Sequence, residues 1–95
     1  MNNYEVMYII NPTVEEEART QLVERFSGIV TADGGSVEKI DDWGKRKLAY
    51  EIQDFTEGHY ILMHFSAKPE LPLELERNFK INENIIRFLT IRKDA

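Results

Sequence analysis

The sequence predicts an α+β fold whose elements run β-α-β-β-α-β. Three observations lead there. Two stretches carry apolar residues at spacings of three and four, the period of a helix face. Four others are rich in β-branched and aromatic residues and are bounded by Asn, Gly, Pro or Asp. The middle two of these four are separated only by a turn, so they form a hairpin rather than a crossover.

Tyr4 to Ile10 is the first strand, ended by Asn11-Pro12 because proline donates no ladder hydrogen bond. Thr13 is expected to open the first helix, since with Glu16 it forms the capping-box pattern. Glu15, Glu16 and Glu17 then lie at the positive end of the helix dipole, which accounts for this acidic triplet without any chemical role. Val14, Ala18, Leu22, Phe26, Ile29 and Val30 give the buried face, and Asp33-Gly34-Gly35 stops the helix. Val37 to Ile52 reads as a long second strand. Leu48, Tyr50 and Ile52 alternate with Lys47, Ala49 and Glu51, and Ile40 keeps the parity of Leu48. Val37 does not, so a bulge is expected before Leu48, with Gly44 the candidate. Asp54 to Gly58 is assigned to the turn and His59 to Phe65 to the third strand. Pro69 and Pro72 flank the start of a short second helix with core positions Leu71, Leu75 and Phe79. Asn82 to Asn84 breaks it, and Ile85 to Ile91 is the fourth strand.

Two β-α-β units with right-handed crossovers place both helices on one face of a four-stranded antiparallel sheet. The second and fourth strands are its edges. This is the ferredoxin-like split arrangement, and it leaves the opposite sheet face open. Enzymes, regulatory modules and RNA binders all use it, so function has to be read from particular residues.

Ninety-five residues make one domain over positions 1–95, and 42% hydrophobic content with 31% charged is a globular composition. There is no cysteine, which excludes disulfides and thiolate metal sites. The first residues lack a basic region followed by an apolar run, and no apolar stretch approaches the roughly 20 residues of a membrane span. A cytoplasmic protein with no membrane association is expected.

No catalytic constellation is visible. His59 and His64 are five residues apart on one strand, hence on opposite faces, and are expected to be structural or surface residues with no metal between them. Gly34-Gly35 follows a helix and lacks the Lys-Ser or Lys-Thr of a phosphate loop. A phosphohydrolase of this fold would need a phosphate cradle after the first strand, where this chain has Asn11-Pro12-Thr13-Val14-Glu15-Glu16. No enzyme, cofactor or small-molecule substrate is expected. The third strand does not carry the aromatic spacing of a base-stacking platform, and Tyr60 and Phe65 are assigned to packing.

One stretch stands out. Lys45, Arg46 and Lys47 follow Trp43-Gly44 in a chain of net charge -5. Lysines on an exposed edge strand discourage sheet-to-sheet pairing, and that explanation needs no ligand. The alternative is that the three heads meet a phosphate backbone lying across the edge, their long stems reaching round a local bulge.

The residues here resemble a known family. "DWGKRKLAYEI" (Asp42 to Ile52) followed by "GHYILMHF" (Gly58 to Phe65) is similar to the bacterial small-subunit ribosomal protein S-six family. "YEVMYIINP" (Tyr4 to Pro12) resembles the family's first strand and turn, and "INENIIRFLTIR" (Ile81 to Arg92) its last strand. The resemblance implies a structural component of the 30S ribosomal subunit. It implies binding to the central domain of 16S ribosomal RNA together with a small basic neighbour, ribosomal protein S-eighteen. The RNA-binding residues it suggests are Lys45, Arg46 and Lys47 on phosphates, Trp43 against a base or the partner, with a half-buried hinge against Gly44 as the equal alternative for that residue, and Arg92 as a further cation; Arg87 lies on the same strand as Arg92. Two departures are noted. Family members often carry Arg or Lys where this chain has Asn2, and some have a long charged tail beyond the position of Lys93-Asp94-Ala95. Two other classes stand beside this reading: a protein-only or small-molecule regulatory module of the same fold, and a small phosphohydrolase. Salt-sensitive RNA affinity separates the first reading from both.

Overall fold

A computed structural model describes residues 1–93; Asp94 and Ala95, on which the question of a tail falls, lie outside them. The elements are β1 (Asn2–Ile10), α1 (Glu16–Ala32), β2 (Ser36–Ile52), β3 (Phe55–Ala67), α2 (Leu71–Ile81) and β4 (Ile85–Arg92). The sheet order is β2-β3-β1-β4, with every neighbouring pair antiparallel. The expected architecture is therefore observed, with β2 and β4 at the edges.

Alternation along the central strands sorts the side chains. Tyr4, Val6, Tyr8 and Ile10 of β1 and Ile61, Met63, Phe65 and Ala67 of β3 turn to the helices and are buried. Phe26 and Val30 of α1 and Leu71, Leu75 and Phe79 of α2 close over them. At the centre Phe26 and Phe79 lie 4.6 Å apart between ring centroids, with Tyr8 within 5.3 Å of Phe26 and 4.9 Å of Phe79. Both helices thus share one face, because one sheet surface supplies a continuous buried apolar floor for both stripes.

The first helix begins later than expected. Asn11 Oδ1 accepts both the Thr13 N–H (2.9 Å) and the Thr13 hydroxyl (2.8 Å), and the Asn11 carbonyl accepts the Val14 N–H (3.1 Å). This Asx turn carries the chain on to Glu15 before the helix starts, so Thr13 is not the N-cap and no capping box with Glu16 forms. Glu15 takes the N-cap position without a side-chain cap, while Glu16 and Glu17 do occupy the first turn. Ala18 is exposed, and Val23 joins Val14, Leu22 and Ile29 against the core instead.

The hairpin turn is also shorter. Gln53 (φ 51°) and Asp54 (φ 68°) form a two-residue turn between the paired Ile52 and Phe55, and Thr56 to Gly58 belong to β3. Gln53 carries no turn signature, so the sequence signal fell on Asp54 and Gly58. Strand β2 slips register three times: between Val37 and Lys39, between Asp42 and Gly44, and between Lys47 and Ile52. The Gly44 bulge was expected and has φ +76°. The last slip was not: Leu48 to Glu51 stand opposite Thr56 alone. Strict alternation therefore fails here, and Tyr50 is exposed rather than in phase with the half-buried Leu48 and Ile52.

Candidate nucleic-acid interface

The edge ridge is built on the Gly44 bulge. Trp43 is the surplus residue of that slip, between the paired Asp42 and Gly44. The residue is 43% exposed, and its ring stacks on Tyr60 at 6.4 Å between centroids, 11° from parallel. Past the bulge, Lys45, Arg46 and Lys47 pair with His59, Gly58 and Glu57. Cross-strand partners share a face, so Lys45 and Lys47 root on the helix side and Arg46 on the open side. The Arg46 guanidinium lies 5.7 Å from the centroid of the Trp43 ring, and its Nε donates to the Trp43 carbonyl at 3.2 Å. All three basic side chains are exposed. Among the described residues they form no ion pair, whereas Lys39, Arg77 and Lys93 do.

A second pairing of arginine with an aromatic ring crosses the open face. Arg87 donates to the Tyr50 hydroxyl, and its guanidinium lies 5.6 Å from the centroid of that ring. Arg87 pairs with Ile9, Ile9 with Tyr60 and Tyr60 with Gly44, so one row runs across all four strands. The end of the hairpin bends back across this row to bring Tyr50 from one edge strand to Arg87 on the other. Tyr50, read from sequence as part of a regular strand, and Tyr60, assigned to packing, both belong here. Tyr60 is half-buried on the open face as the floor for Trp43, while Phe65 is indeed buried in the core. Only Tyr60's parity against Ile61, Met63 and Phe65 announced this; no spacing links Tyr50 with Arg87.

Arg92 is not brought to the ridge. It pairs with Tyr4 at the opposite end of β1 and on the far edge, on the order of 25 Å from Lys45 by strand spacing and rise. Its Nη2 donates to Asn2 Oδ1 at 3.2 Å. The two histidines lie on opposite faces. Buried His59 places Nε2 2.5 Å from Asp42 Oδ1, and His64 sits among Glu5 (3.6 Å), Asp41 (3.8 Å) and the Lys93 ammonium (3.4 Å). Among the described residues no group of three His, Cys, Asp or Glu is placed to hold a metal ion. No helix among them is long and apolar enough to cross a membrane. The rest of the open face carries Met7, Leu62, Leu89 and Ile91 beside Glu5 and Asp41; Leu89 and Ile91 are about half exposed. Chemically, the ridge offers point charges and one planar guanidinium braced on an indole, a set that holds phosphate oxygens rather than breaking bonds.

The family model described as Ribosomal protein S6 matches residues 3–92. The small ribosomal subunit protein bS6 of Clostridium novyi is 47% identical over 94 residues, covering 99% of both chains. That of Desulforamulus reducens is 54% identical over 93 residues, covering 98% of both. The crystal structure of 30S ribosomal protein S6 from Thermotoga maritima has a TM-score of 0.92 at 40% identity, over 97% of this chain and 87% of that one. The chain belongs to the ribosomal protein S6 family, structural components of the small ribosomal subunit and not enzymes.

Proposed function

We propose that this chain acts as a single domain that binds the central domain of 16S ribosomal RNA together with ribosomal protein S-eighteen. One observation carries the RNA contact: in a chain of net charge -5, three adjacent cations at a sheet edge are exposed and unneutralised among the described residues. Lys45 and Lys47 reach phosphates from one side of the edge strand and Arg46 from the other. Bracing Arg46 over Trp43 reduces the rotamer freedom lost on binding. These contacts follow the RNA backbone and carry little sequence reading. Arg92 makes a separate contact; its bond to Asn2 puts a cation beside the position where other members often carry one. The open face, apolar at Met7, Leu62, Leu89 and Ile91 and acidic at Glu5 and Asp41, suits a basic protein partner.

The test is the triple variant Lys45→Ala, Arg46→Ala, Lys47→Ala. Affinity for a 16S central-domain transcript with S-eighteen is measured at several salt concentrations. The slope of log affinity against log salt is expected to flatten by roughly 0.7 per lost phosphate contact, or somewhat more in duplex regions. Folding stability is expected to stay within about 0.5 kcal/mol. An unchanged slope, with new light scattering from self-association, would assign the run to edge protection instead.

A further inference from the structure

We infer that His59 is a positioning residue for the basic ridge, acting through Asp42 on the Gly44 bulge; this rests on the RNA reading above. Apart from the core tyrosines, His59 is the one buried polar or charged side chain among the described residues, at 7% exposed. Its Nε2 lies 2.5 Å from Asp42 Oδ1. The same oxygen accepts the Gly44 N–H at 2.8 Å. That second bond closes an Asx turn around Trp43 and holds Gly44 in the left-handed region. Trp43, inside the turn, stacks on Tyr60 and accepts Arg46 Nε on its carbonyl. A continuous chain of contacts therefore runs from the floor of β3 to the guanidinium on the edge.

The bulge decides which cation faces where. Before it, Asp42 pairs with Ile61; after it, Gly44 pairs with Tyr60. Without the extra residue the register of Asp42 would continue, pairing Lys45 with Gly58 and Arg46 with Glu57. A one-residue slip exchanges faces, so Arg46 would leave the open side and the two lysines would enter it. The Asp42 side chain is 56% exposed, and in water an exposed carboxylate trades its hydrogen bonds readily. His59 is fixed by β3 and by its own burial, so it gives that carboxylate a rigid partner. Gly44 itself meets nothing within 4 Å of where a Cβ would stand, so its left-handed backbone, and not close packing at that point, is what favours glycine there.

The experiment uses the full chain, S-eighteen and a 16S central-domain transcript, with His59→Leu, His59→Gln, Asp42→Ala and Arg46→Ala. Three quantities are read: the dissociation constant, the emission of Trp43 (the chain's one tryptophan) and the urea midpoint. His59→Leu and Asp42→Ala are each expected to weaken binding about tenfold and to shift the Trp43 emission to the red. The double variant should lose no more than either alone, because both break one chain of contacts. His59→Gln keeps a donor toward Asp42 and should recover most of the affinity. Asp42→Ala changes a half-exposed side chain, so the test stands even if His59→Leu does not fold. Unchanged affinity and emission in Asp42→Ala, with weakened binding in Arg46→Ala, would reduce His59 to a packing residue. If Arg46→Ala also binds normally, the RNA reading itself fails. The Trp43 emission then decides the clamp: a shift supports it, and an unmoved spectrum overturns it.

Discussion

Tyr8 lies between the two helices with its hydroxyl buried and without a hydrogen-bond partner among the described residues. Burial, and then the negative charge of Asp42, push its phenol above the ordinary tyrosine value. In the unfolded chain the phenol ionises near pH 10 while the folded one stays protonated, so above that pH the unfolded state binds fewer protons. Stability from this group is fully present below about pH 10 and is lost as pH rises beyond it. Tyr8→Phe keeps the contacts with Phe26 and Phe79 and removes the orphaned hydroxyl. Its unfolding free energy at pH 7 is expected to lie within about 1 kcal/mol of the parent or above it. It should also fall less steeply between pH 9 and 11; urea titrations across that range check both. At this scale the sequence was uneven. Three consecutive basic residues after Trp-Gly were visible directly. The bond between Asp42 and His59 was not, because each residue alone reads as an ordinary surface or strand residue and their pairing depends on register.

Strand β2 is where reading by period broke down. Alternation assumes one residue per rung, and this strand inserts surplus residues in three places. Gly44 announced one insertion because its backbone conformation favours glycine; the surplus within Leu48 to Glu51 has no such marker. The start of α1 failed for a related reason. Thr13 satisfies the capping pattern, but the Asx turn on Asn11 delays the start of the helix to Glu16, past the reach of that pattern. The buried stripe of α2 was fully legible, since Leu71, Leu75 and Phe79 keep helical spacing and all reach the core. Two predictions belong to elements. Phe79 touches Tyr8, Phe26 and Phe88, so Phe79→Ala is expected to cost about 3–5 kcal/mol in denaturant unfolding, enough to approach the whole stability of a small domain. A Cβ at Gly58 would run into Ile9 Cγ2, where β3 passes β1 opposite Arg46. Gly58→Ala is expected to cost roughly 1–3 kcal/mol by the same measurement.

Across the whole molecule, element order and crossover handedness were enough to give the topology, because an apolar stripe on each helix needs a shared sheet face. The make-up of the ridge and of the open face was less legible, since both depend on residues that the sheet brings together from different strands. The global charge adds a prediction. The isolated chain, at net charge -5, is expected to bind a central-domain transcript weakly because its field opposes its own ridge. Adding S-eighteen should raise the apparent affinity, and the RNA should raise the affinity for S-eighteen by the same factor. Filter binding with and without the partner measures this; equal affinities would count against the coupling.

The strand order has a consequence for how the chain is made. β1 precedes both of its neighbours in sequence yet lies between them in the sheet. Ile10 finds its partner only at His59, and Tyr4 waits for Arg92 on its other side. At about 5–20 residues per second, the 88 residues that follow Tyr4 up to Arg92 take roughly 4–18 s to synthesise. For that interval an apolar, aromatic segment, Tyr4 to Ile10, lacks a complete ladder, although both covering helices are made before it ends. The middle of the finished sheet is thus the part longest unprotected on the nascent chain, and the last to be closed.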